Sequence, residues 1–171
     1  MNLIIFGPPG AGKGTQADFI VSKYNLYKLS TGEVLRNEIK NKTELGKEIS
    51  SIINSGSLVS NDIVKKLVKI FISDKKYKDR LIFDGYPRNL IQAETLQELL
   101  KNNGQKIDLV LKLSVSLETI TKRILERQTI EKRADDSKEI AIKRYKTYEK
   151  STEPVIEHYK KLNLLKVIDG E

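Results

Sequence analysis

Residues Gly7-Pro8-Pro9-Gly10-Ala11-Gly12-Lys13-Gly14-Thr15 carry the strongest chemical signal in this chain. They follow the apolar run Leu3-Ile4-Ile5-Phe6 and precede a helical pattern, which is the context a phosphate-binding loop requires. Glycines let the backbone approach phosphate oxygens, free N–H groups at the helix start donate to them, and the lysine adds positive charge at the β and γ positions. Gly10, Ala11, Gly12, Lys13, Gly14 and Thr15 are therefore the candidate contacts to a nucleoside triphosphate. A ligand-free strand-to-helix turn would use similar glycines, but it does not explain Lys13 between these flanks. Gly14 stands where Ser or Thr normally follows the lysine, with Thr15 one residue later, and this leaves direct Mg²⁺ ligation by Thr15 open.

A second marker is Phe83-Asp84-Gly85-Tyr86-Pro87-Arg88, at the end of a predicted strand. Asp84 there is placed to hold Mg²⁺ through water, as a Walker-B carboxylate does. Ser30-Thr31-Gly32-Glu33 reads as a capping box for a following helix, with Arg36 one turn later, and Asp136-Ser137-Lys138-Glu139 has similar spacing with Asp136 as the cap. Asp135 and Asp136 are expected either to orient Arg133 or to cap that helix. Arg123, Arg127, Arg133 and Arg144 stand out from a lysine-rich background, with Arg123 and Arg127 on one helix face. Planar guanidinium forks suit phosphoryl oxygens better than a lysine point charge. A solvated charge run is the ordinary reading of such a segment.

Together the Gly-Lys-Gly-Thr loop, the Asp-Gly-aromatic-Pro-Arg motif and the Ser-Thr-Gly-Glu segment resemble the adenylate kinase family along nearly the whole chain. The resemblance implies transfer of the ATP γ-phosphate to AMP, giving two ADP, with Mg²⁺ as cofactor and a P-loop NTPase fold. It implies that Lys13, Arg123 and Arg127 reach ATP and the transferring phosphoryl, and that Arg133 and Arg144 close over both nucleotides. AMP would be held by Thr31, Arg36, Ser57, Leu58, Val59, Gly85, Tyr86, Pro87 and Arg88. Ser57 stands where the family commonly has Lys. The amide of Gln92, four residues after Arg88, offers a donor and an acceptor matching the N6 and N1 edge of adenine, where UMP- or CMP-selecting members usually carry Asn. A UMP/CMP kinase is the nearest rival. An ATP-gated nucleic-acid-binding protein and a nucleotide switch without transfer stand further off.

Two polyanions must meet with reacting atoms ~3–3.5 Å apart. At ~5 Å each pair of unit charges repels by ~0.8 kcal/mol in water and ~3 kcal/mol at an effective dielectric of 20. Several fixed cations are needed, and no general base is, because the acceptor phosphate is already an anionic nucleophile. His158, the single histidine, is expected on a helix surface.

Five β-rich runs, Asn2–Phe6, Leu26–Leu29, Arg80–Asp84, Leu109–Ser114 and Leu164–Ile168, alternate with helical segments. Apolar runs without alternation predict strands covered on both faces, hence an α/β fold with a doubly wound, five-stranded parallel sheet. Ala17, Ile20, Val21 and Tyr24 predict a helix starting near Gly12–Lys13 with this stripe on the sheet. A further helix is expected near Ser60–Phe71. Tyr145, Tyr148, Val155, Ile156 and Tyr159 are expected to pack around Pro154, which should start or kink a helix. The chain reads as one kinase domain with core 1–29, 60–127 and 138–171, an AMP-binding flap at 30–59 and a lid at 128–137. Only five residues separate Arg127 from Arg133, which matches a short-lid type. The family continues into a final helix beyond the last predicted strand, so the chain reads as shortened, with donor-side adenine contacts affected.

With 171 residues, 39% hydrophobic and 32% charged, the chain can close one core and is not of disordered type. The absence of cysteine excludes disulfides, thiolate metal sites and a cysteine nucleophile. A net charge of +8 suggests anionic partners, yet 6% aromatic content without Trp argues against nucleic acid, whose single strands need stacking platforms. Met1 leads straight into Leu3–Phe6 without a basic region, and no apolar run approaches the ~20 residues a bilayer needs. A cytoplasmic monomer, free of membrane, is expected.

Overall fold

The computed structural model describes residues 1–131 and 136–171. The strands are β1 (Leu3–Phe6), β2 (Tyr27–Ser30), β3 (Leu81–Asp84), β4 (Leu109–Ser114) and β5 (Leu165–Asp169). They form one five-stranded sheet in the order β2-β3-β1-β4-β5 with every pairing parallel. The helices are α1 (Lys13–Tyr24), α2 (Thr31–Lys40), α3 (Glu44–Asn54), α4 (Asn61–Ser73), α5 (Leu90–Asn102), α6 (Leu117–Glu131), α7 (Lys138–Ser151) and α8 (Glu153–Lys161).

Alternation along each strand sends side chains to opposite layers. Ile4, Phe6, Leu81 and Phe83 join the layer built by Val64, Val68 and Ile72 of α4, Leu96 and Leu100 of α5, and Val155, Ile156 and Tyr159 of α8. Leu3, Ile5 and Ile82 join Ala17 of α1 on the other face. Helices thus cover both faces, as the unbroken apolar strands require. The expected strands are all present, with ends shifted by about a residue.

Several local expectations change. Tyr24 is 55% exposed, so the α1 stripe ends at Val21. The capping box at Ser30 does not form: Ser30 ends β2 and makes no side-chain cap bond, while Glu33 pairs with Lys28 at 3.0 Å. The cap of α7 is Ser137, which accepts from the Ile140 N–H, and Asp136 serves elsewhere. Pro154 lies in the first turn of α8, and Val155, Ile156 and Tyr159 are buried as expected of packing residues.

Residues 31–54 form a helical hairpin. Its tightness depends on Gly46 in α3, where a Cβ would run into the Glu38 carbonyl of α2. Thr43 caps α3 by accepting from the Gly46 N–H at 3.0 Å.

Asn2, expected in β1, instead ties the amino edge of the sheet together. It is fully buried, its Nδ2 donates to Gln105 Oε1 and the Lys106 carbonyl, and its Oδ1 accepts from the Leu81 N–H. Asn2→Ala is expected to lower stability by about 2–3 kcal/mol in urea unfolding, because a buried N–H and carbonyl lose their partner.

Candidate functional site

β1 and β3 are neighbours, with Ile5 opposite Asp84, but their onward connections leave to opposite sides of the sheet. The crevice at their carboxyl ends is the place where such sheets bind ligands. The loop after β1 enters α1 through Gly12, whose φ of 87° favours glycine. Lys13 Nζ folds back onto the loop, donating to the carbonyls of Gly7 and Pro8 at 2.8 and 2.9 Å. Burial lowers its pKa to about 8; Asp84 opposes that shift, and Arg88, Arg144 and Arg127 add to it.

The loop after β3 turns at Gly85, at φ 75°, where a Cβ would stand 3.1 Å from the Arg88 guanidinium. The Gly85 carbonyl accepts from Thr31 Oγ1 and from Arg88 Nε, each at 2.8 Å. One carbonyl thereby orders the start of α2 and the arginine together. Thr152, at the α7–α8 junction and itself lining the cleft, holds the same arginine by donating to its carbonyl at 3.0 Å.

These loops open into a cleft of about 1030 Å³, its mouth included. Lys13, Arg36, Arg88 and Arg144 converge on it, beside an apolar wall that includes Leu35, Ile53, Leu58, Val59 and Val64. Thr31, Ser57, Gly85, Pro87 and Gln92 also line it. Tyr86 does not: its side chain is buried and its hydroxyl donates to the Gln92 carbonyl. Of the phosphate loop, Gly7, Pro9 and Lys13 face the cleft, whereas Gly10, Ala11, Gly12, Gly14 and Thr15 lie outside its lining. Arg123 and Arg127 lie outside it too, and Arg123 donates to the Gly170 carbonyl at 3.0 Å. Arg133 and Asp135 fall outside the described residues.

A family model for adenylate kinase matches residues 5–164. The chain is 45% identical to "Adenylate kinase" of Pelagibacter ubique, over 99% of this chain and 92% of that protein. It is 40% identical to the proteins of the same name from Fusobacterium nucleatum and Thermobifida fusca, over 99% of this chain and 91% and 90% of theirs. The chain belongs to the adenylate kinase family.

Within this adenylate kinase fold, Asp136 is the partner of Arg127 and Arg144 and not the cap of α7. Its carboxylate is fully buried and accepts from Arg127 Nε and Nη2 at 2.7 and 2.6 Å, and from Arg144 Nη1 at 3.0 Å. A bidentate fork on one arginine and a third bond to another tie α6 to α7. Thr152 escaped notice, because a threonine at a helix junction carries no pattern of its own. Asp136→Ala is expected to cost about 3 kcal/mol in unfolding experiments, since two arginines lose their shared anion. Asp136→Glu should recover only part of that, the longer arm misplacing the fork.

Proposed function

We propose that the chain is an ATP:AMP phosphotransferase whose acceptor site is the cleft between the β3 loop and the α2–α3 hairpin, with the ATP phosphates on the loop after β1. The observation that carries this reading is the meeting of Lys13, Arg36, Arg88 and Arg144 at one cleft beside an apolar wall and Gln92. An apolar wall suits a base, and the cations that share the cleft suit its phosphate.

In this reading Arg36 and Arg88 grip the AMP phosphate, and Lys13 leaves the Gly7 and Pro8 carbonyls for the β and γ oxygens of ATP. Gly10, Ala11, Gly12, Gly14 and Thr15 supply the backbone cradle. Arg123 and Arg127 reach ATP and the transferring phosphoryl, and Arg133 and Arg144 close over both nucleotides. The AMP phosphate oxygen bonds to the γ-phosphorus as the bond to the β-phosphate oxygen breaks. Alignment and charge neutralisation do the work. Residues 30–59 act as the AMP flap and 128–137 as a short lid that excludes water. Thr31, Ser57, Leu58, Val59, Gly85 and Pro87 shape the acceptor pocket, and Tyr86 supports it from the core.

The donor set fits Mg²⁺. Among the described residues no group of three or more acidic, His or Cys side chains forms a metal cage. Asp84 stands alone at the end of β3, near Gly14, and a single carboxylate with waters and phosphate oxygens is what this ion takes. When bound, Mg²⁺ neutralises charge on the β and γ oxygens. Among the described residues no helix is long and apolar enough to cross a membrane. A cytoplasmic monomer remains the expectation.

With Mg-ATP and a panel of AMP, CMP, UMP and GMP, turnover should favour AMP, and a preference for a pyrimidine would overturn the acceptor assignment. Lys13→Met should abolish most transfer. Because the Lys13 pKa sits at about 8 before substrate binds, its charged form is lost above that pH and kcat/KM for ATP should fall about tenfold per pH unit there. Bound phosphates favour the ammonium, so kcat should hold to higher pH. Calorimetry just above that pH should show proton uptake on ATP binding, absent from Lys13→Met.

A further inference from the structure

Gln92 lines the cleft and is 3% exposed, so what its amide presents to a base is settled by its protein partners. The two ends of a carboxamide are nearly the same shape, and a half-turn exchanges a donor for an acceptor. Here Oε1 accepts from the Arg88 N–H at 2.8 Å, and Nε2 donates to Asn61 Oδ1 at 2.9 Å. Asn61 could turn as well, were it not for Asn89. Asn89 Nδ2 also donates to Asn61 Oδ1, at 3.0 Å, while Asn89 Oδ1 accepts from the Gln92 N–H at 2.9 Å as the cap of α5.

The network therefore begins and ends on backbone N–H groups, which can only donate. Turning Gln92 would set Nε2 against the Arg88 N–H and Oε1 against Asn61 Oδ1. Turning Asn61 would set its Nδ2 against two amide donors. Only one arrangement satisfies all four contacts.

By count, Oε1 keeps a second lone pair and Nε2 a second hydrogen. In that order they match adenine, whose N6 donates and N1 accepts. Hypoxanthine and guanine present the reverse, with O6 accepting and N1–H donating. We propose that Asn61, outside the cleft lining at the start of α4, is a positioning residue. Its Oδ1 locks the polarity of the Gln92 amide and so sets the preference for adenine over 6-oxopurine acceptors. This rests on reading the cleft as the AMP site with Gln92 facing the base.

The test compares AMP and IMP as acceptors at saturating Mg-ATP for the parent, Asn61→Leu, Asn61→Ala, Asn61→Asp and Gln92→Leu. Melting temperatures and KM for ATP are measured beside them. Asn61→Leu and Asn61→Ala should raise KM for AMP by about tenfold and narrow the AMP-to-IMP ratio of kcat/KM by a similar factor, with KM for ATP within about twofold. Asn61→Asp keeps acceptor oxygens for both amides and should retain the parent's discrimination. Unchanged discrimination in Asn61→Leu and Asn61→Ala, or a loss in Asn61→Asp as large as theirs, overturns the proposal. If Gln92→Leu leaves KM for AMP unchanged, the base-reading cleft falls and the proposal with it. If Gln92→Leu is impaired while the Asn61 variants are not, only the role of Asn61 falls.

Discussion

Positive charge concentrated in a partly closed cleft is the constraint around which this molecule is built. Lys13, Arg36, Arg88 and Arg144 face one space, and burial above all, with smaller contributions from Arg88, Arg144 and Arg127, lowers the Lys13 pKa to about 8 against the opposing pull of Asp84. Hydrogen bonds to named acceptors hold three of these cations. Lys13 is held by two loop carbonyls, Arg88 by the Gly85 carbonyl, and Arg144 by Asp136, which it shares with Arg127. Of these acceptors Asp136 alone carries charge, which makes its bonds to the two arginines the stronger ones.

The sheet order makes that convergence possible. Placing β1 between β3 and β4 sets the glycine loop beside Asp84, Gly85 and Arg88, although some 70 residues intervene. The hairpin of α2 and α3 brings Arg36 from a third direction, anchored at its base by Thr31 on the Gly85 carbonyl. At its far end Gly56 approaches α7 so closely that a Cβ would stand 2.9 Å from Ile140 and 3.0 Å from Arg144. Lys143 Nζ donates to Ser57 Oγ at 3.2 Å across the same junction. The hairpin's far end and the arginine-bearing helix therefore meet directly.

Polar groups away from the reacting centre serve the same economy of placement. Asn61, Asn89 and Gln92 join the starts of α4 and α5, and Thr152 ties the α7–α8 junction to Arg88. These bonds fix Gln92 and Arg88, which both border the cleft.

By itself the chain's order of residues determined the strands, the glycine loop and α1, the order of helices and the family, because apolar runs, glycine spacing and the Asp84–Arg88 motif act over a few residues. Thr31, Arg36, Arg88 and Arg144 line one cleft. Tertiary structure alone decided the rest. Asp136 reads as a cap or as a partner of Arg133 until α6 and α7 are packed, when its partners prove to be Arg127 and Arg144 and Ser137 takes the cap. Ser30 and Glu33 read as a capping box, but the parallel pairing of β2 claims Ser30 and Lys28 claims Glu33. Asn2, Asn61 and Thr152 have no signature at all, since one polar side chain acquires meaning only when distant backbone groups, buried by the fold, need its hydrogen bonds.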